Sequence, residues 1–144
     1  MTEQNIPESP LDGQFRSIRI VYYFMFGSLF LYMYLSEFLL HPPMRELGIV
    51  YPAMIADCLL VLIAGIFLRK RIVDRAAGIL RTNPGDLAAL RRWKLGQLTS
   101  FAIAEVVVLT GFVVRVLGSG RPRALVIYAA GVVFMSLWSP QRPR

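Results

Sequence analysis

The sequence predicts an all-α integral membrane protein: a four-helix bundle made of two helical hairpins, with helices two and three extended into the cytoplasm. Three observations predict it. Hydrophobic residues make up 56% of the 144 and charged residues only 17%, where soluble domains carry about a quarter of their residues as charges. Mean hydropathy is positive, at +0.53. The charges crowd between long apolar runs and are nearly absent within them.

Residues 1–17 (MTEQNIPESPLDGQFRS) hold three acids and one arginine. They lack a basic leader and a small-residue cleavage site, so no removable signal is expected and they read as a cytoplasmic N-terminal segment. The first hairpin covers residues 18–68. Its first segment, Ile18 to Leu40, is long enough at about 1.5 Å per residue to cross a hydrocarbon layer of about 30 Å. His41, Pro42 and Pro43 stop it, since proline lacks the helix donor and disfavours helical geometry before it. Segment two begins at Pro52 and reaches Leu68, where Arg69, Lys70 and Arg71 mark its exit from the membrane.

Residues 69–94 form a basic helical connection. Ile72, Ala76, Ile79 and Leu80 share one side of a helix that continues segment two, and Asn83-Pro84-Gly85-Asp86 ends it and starts the next. Asn83 is expected to cap and Pro84 to open segment three outside the lipid. The second hairpin covers 95–138. Segment three crosses from Leu95 to Leu117, Gly118-Ser119-Gly120 ends it, and segment four, Pro122 to Trp138, has an apolar core shorter than the usual span. Residues 139–144 are the tail.

Twelve of the sixteen basic residues fall in the N-terminal flank, the central connection and the tail. The positive-inside bias therefore places both termini and the connection in the cytoplasm, with the bacterial inner membrane as the expected location. The net charge of +7 brackets apolar segments and forms no stripe on a polar domain, so anionic lipid headgroups are the expected partner and nucleic acid is not.

Ionisable side chains at membrane depth are the informative groups, because an ionised carboxylate there must be neutralised, paired or wetted. Glu105 lies near the centre of segment three and Asp57 near the centre of segment two. If the two share a site, they hold a proton between them, as a proton carrier does; the bland alternative is a pair of neutral structural acids. Glu37 and Arg115 are each displaced by about 12 Å toward the outer side. Their matching depth suggests an intramembrane ion pair, with snorkelling of Arg115 as the alternative. Ser28, Tyr32 and Ser36 recur every four residues as a hydroxyl line leading toward Glu37.

Gly96, Ser100 and Ala104, also four apart, let a second backbone approach closely, which suits packing in the bundle or assembly as a homo-oligomer or larger membrane complex. Tyr32 and Tyr34 lie deep enough to need partners, or a pigment, quinone or lipid beside them. Cys58 reads as a small buried hydrophobe. A lone histidine, His41, does not define a haem or metal site, and no cofactor is required. Walker, dinucleotide, HExxH and GxSxG motifs are absent from the sequence, so intrinsic catalysis is not expected.

The stretches RTNPGDLAALRRW, LRRWKLGQLTSFAIAEVVVLTGFVVRVLG and AAGVVFMSLWSPQRPR resemble an uncharacterised bacterial family of small four-helix membrane proteins over residues 69–144. AIAEVVVLTG also looks like the carboxylate helix of rotary ATPase proteolipids, which implies that Glu105 carries an ion. Here that glutamate stands on the first helix of its hairpin, and segment four has no acid. Three functions are compatible with these residues: a scaffold or accessory subunit of a membrane assembly, a proton or cation translocating subunit using Glu105, and a lipid, quinone or pigment binding module.

Overall fold

The structure, a computed structural model, describes residues 10–39 and 46–140. All of its regular elements are helical. Helix α1 (Pro10–Tyr34) widens at its end into a π turn over Leu35–Leu39. Helix α2 (Val50–Arg69) continues through a second π turn (Lys70–Asp74) into α3 (Arg75–Thr82), and α4 (Leu87–Val116) and α5 (Arg121–Leu137) follow. His41, Pro42, Pro43, Arg45, Arg142 and Arg144 lie outside the described residues.

Three stretches, Asp12–Phe38, Val50–Thr82 and Leu87–Val116, are long and apolar enough to cross a membrane. The 17 residues of α5 rise about 25 Å, short of a bilayer core of about 30 Å. Phe24 (79% exposed), Phe67 (72%) and Leu60 (67%) point outward, as expected where lipid is the solvent. These are the dimensions and surface of a multi-pass membrane protein.

The turn between α3 and α4 differs from the sequence reading. Asn83 ends α3, donating its N–H to the Ile79 carbonyl at 2.8 Å. Its extended backbone (φ −137°, ψ 86°) is what the following Pro84 enforces. The cap of α4 is Asp86, whose Oδ1 accepts from the Ala89 N–H at 2.9 Å. Helix α4 thus starts at Leu87 and not at Pro84, because Asp86, extended at φ −70° and ψ 100°, stands where its carboxylate reaches an open amide of the first turn. At the other end, Gly118 takes φ +99° and the Ser119 N–H reaches the Val114 carbonyl at 3.2 Å. That left-handed closure favours glycine.

Helix α4 is the centre of the bundle and packs against α1, α2 and α5. One core joins α1, α3, α4 and α5 around Leu29, Trp93, Phe101 and Tyr128. A second joins α2, α4 and α5 around Cys58, Leu62, Val107 and Ile127. Helices α1 and α2, consecutive in sequence, scarcely meet. The first hairpin is therefore a connection along the chain and not a packed pair, and only α4 and α5 pack extensively as neighbours.

The small residues of α4 serve two partners. Gly96 faces Ile72 and Val73 of the second π turn, whereas Ala104 lies under Gly131 of α5. Ser100 between them donates to the Gly96 carbonyl at 2.8 Å. All three are buried.

Candidate functional sites: two carboxylates at different depths

Glu37 stands in the π turn that ends α1. Arg115 Nε donates to its Oε1 at 3.1 Å and Arg121 Nε approaches its Oε2 at 2.6 Å. The Glu37 and Arg115 side chains are only 13% and 8% exposed, against 61% for Arg121. Arg115 also donates from Nη1 to the Ser119 carbonyl at 3.0 Å, filling an open acceptor at the C-terminus of α4 where cations are favoured. This is a largely buried carboxylate held by two guanidinium groups in an apolar helix. The paired contacts make it a charge lock between α1, α4 and the start of α5.

Glu105 sits near the middle of α4 and has no cationic partner among the described residues. Its Oε1 is met by Ser28 Oγ at 3.1 Å and Tyr32 Oη at 3.2 Å, both from α1. Ser28 and Tyr32 are one helical turn apart, so their hydroxyls converge on one point. Ser28 Oγ also lies 2.7 Å from the Met25 carbonyl. A serine hydroxyl has one proton, so it cannot fully donate to both. With that proton on the shorter bond to Met25, the contact to Glu105 is satisfied when Glu105 is a carboxylic acid donating to Ser28 Oγ and accepting from Tyr32. Were Glu105 ionised, rotation of the Ser28 hydroxyl would let both hydroxyls donate to it. The two hydroxyls can therefore serve Oε1 in either protonation state.

The hydroxyl line splits at its far end. Ser36 is fully buried and accepts from Tyr128 Oη of α5 at 2.7 Å, so it joins α1 to α5 and does not extend the pair on Glu105. Tyr34 stacks on Phe38 with ring centroids 5.0 Å apart. It is 54% exposed, facing outward. At the basic end, buried Gln97 accepts from Arg69 Nη1 at 3.2 Å, and the Arg69 guanidinium lies 5.9 Å from the Trp138 ring centroid.

Asp57 does not join Glu105. The buried face of α2 is Cys58, Leu62 and Gly65, and adjacent helical positions point about 100° apart. Burial of Cys58 therefore turns Asp57 to the exposed side, while Glu105 faces α1. No hydrogen bond or ion pair engages Asp57 among the described residues. A carboxylate at the centre of a span costs about 2.5–3.5 kcal/mol on insertion scales. Replacing Asp57 by leucine is expected to improve insertion of this segment by about that amount, read from the inserted fraction in a glycosylation-reporter assay. An unchanged fraction would mean that the carboxylate is sheltered.

Among the described residues, no three His, Cys, Asp or Glu side chains come together as a metal ligand set. The fold and these sites define the class: a helical multi-pass membrane protein carrying carboxylates at membrane depth. No family model, curated protein or solved structure matches the chain. The resemblances to a bacterial four-helix family and to rotary proteolipids thus gain no support from these comparisons.

Glu105 and its two hydroxyl partners could have been found from depth alone, because Ser28 and Tyr32 flank the centre of segment one as Glu105 marks that of segment three. Arg121 gave no such signal. It lies beyond the span, and only the turn after Gly118 brings it back to Glu37.

Proposed function

We propose that the chain is a membrane subunit that handles protons or small cations at Glu105, with the Glu37–Arg115–Arg121 lock holding the helices that carry the site. One observation carries this reading. Glu105 is a mid-helix carboxylate without a cationic partner among the described residues, and two hydroxyls stand on its Oε1 where rotation of Ser28 would let them serve it protonated or ionised. A merely structural acid needs only one of these states. The charge distribution supports an inner-membrane orientation with the basic end in the cytoplasm.

The test is proton flux into liposomes containing the purified chain. Glu105→Gln keeps the shape and hydrogen bonding of the protonated acid but cannot release a proton. Flux is expected to fall to the level of empty liposomes, with unchanged insertion and helical content. Unchanged flux would remove Glu105 from the role. A second reading, an accessory subunit within a larger assembly, is favoured by Asp57 on the outer face of α2, which a neighbouring helix would cover. The mass of the native complex in mild detergent distinguishes a lone chain from an assembled one.

A further inference from the structure

The basic end of the bundle carries two adjoining grooves beside the second π turn. The larger, about 720 Å³, has an apolar wall of Ala64, Phe67 and Leu68 and a rim of Lys70, Arg71 and Arg75. The second, about 410 Å³, shares Arg71 and Arg75 and adds Arg92 of α4, with Ile72 and Ile79 in its lining. Three guanidinium groups from two helices therefore surround one place where the apolar span meets the polar end.

These arginines differ from most of the other described arginines. Arg69 is bonded to Gln97, Arg115 and Arg121 to Glu37, and Arg19 and Arg123 lie over aromatic rings. Arg71, Arg75 and Arg92 have no hydrogen bond or ion pair among the described residues. The carboxylate on the same turn, Asp74, forms no ion pair with Arg71 or Arg75 among the described residues. The turn thus presents Arg71 and Arg75, neither of them ion-paired among the described residues, next to a wall of exposed hydrocarbon.

We infer that this double groove binds an anionic glycerophospholipid. Its phosphate lies among Arg71, Arg75 and Arg92, and an acyl chain runs along Ala64, Phe67 and Leu68. The planar guanidinium fork matches phosphate oxygens in pairs, and basic pockets between helices at the membrane surface take such headgroups. A free phosphate would use the same forks. The wall of Phe67 and Leu68, continuous with the apolar surface of α2, favours a phosphate that carries a hydrocarbon chain. This inference does not depend on proton handling at Glu105.

The experiment is native mass spectrometry of the full chain in mild detergent, with phosphatidylglycerol or phosphatidylcholine of matched chains. The wild type is expected to retain phosphatidylglycerol at least about tenfold better. R71Q/R75Q is expected to lower that retention by about 25-fold, roughly fivefold per arginine, and R92Q alone by about fivefold. R81Q/R91Q removes the same charge outside the two grooves and is expected to leave retention unchanged. Equal loss in both double variants would overturn the site in favour of diffuse surface charge, as would the absence of any lipid preference in the wild type. Displacement of phosphatidylglycerol by millimolar inorganic phosphate would assign the groove to a free anion and overturn the lipid. The single Arg92 variant, on a different helix, reads the site independently should the double variant fold poorly.

Discussion

Replacing Glu37 by leucine is expected to destabilise the bundle by about 3–5 kcal/mol, the cost of leaving a buried charge without its partner. The charge left behind is Arg115, whose side chain is 8% exposed. Among the described residues it keeps the Ser119 carbonyl as its one hydrogen-bond partner. Arg115→Met should cost less, because Glu37 retains Arg121, and Arg121 is exposed enough to adjust. In the double variant E37L/R115M both buried charges are gone, and most of the loss should be recovered. Unfolding in mixed micelles with increasing dodecyl sulfate measures all three. If Arg115→Met proves as damaging as Glu37→Leu, Arg121 does not share the carboxylate as the geometry indicates.

The second large effect is expected at Gly131, where α5 crosses α4. A Cβ at this position would collide with Val108 Cγ2 and lie 3.2 Å from the Ala104 carbonyl oxygen and 3.3 Å from the Val108 nitrogen. Backbone cannot rotate out of the way as a long side chain can, and Val108 is β-branched and stiff. Gly131→Leu should therefore push the helices apart, at about 3 kcal/mol or more, the upper end for overpacking. Ala129 is exposed on the same helix, so Ala129→Leu is the matched control and should change stability by no more than about 0.5 kcal/mol. Equal effects at the two positions would mean that α5 does not hold this close crossing.

What the sequence revealed and what it hid follow from one distinction. Depth along a helix can be counted from residues, whereas rotation about its axis cannot. Counting depth sets Glu37 beside Arg115, and these side chains lie 3.1 Å apart. It also sets Asp57 beside Glu105, yet α2 turns Asp57 outward because Cys58, one position on, is the residue that packs. Apolar run length showed where the long helices lie and that segment four is short. It could not show that α4 packs against α1, α2 and α5, since any apolar face is able to pack against any other. The π turns were equally hidden. Residues 35–39 and 70–74 read as ordinary helix, and their extra width appears only once Glu37 and Arg71 are seen in place.

The central position of α4 also bears on how the chain is made. Helices leave the ribosome in order, and the first two scarcely touch each other in the finished bundle. During synthesis these two helices have little of their final packing to form until the third arrives. The long apolar faces of α1 and α2 suit that wait. The hydroxyls and carboxylate of the Glu105 site meet only when it ends, so a chain cut before α4 would reach the membrane and remain unassembled there.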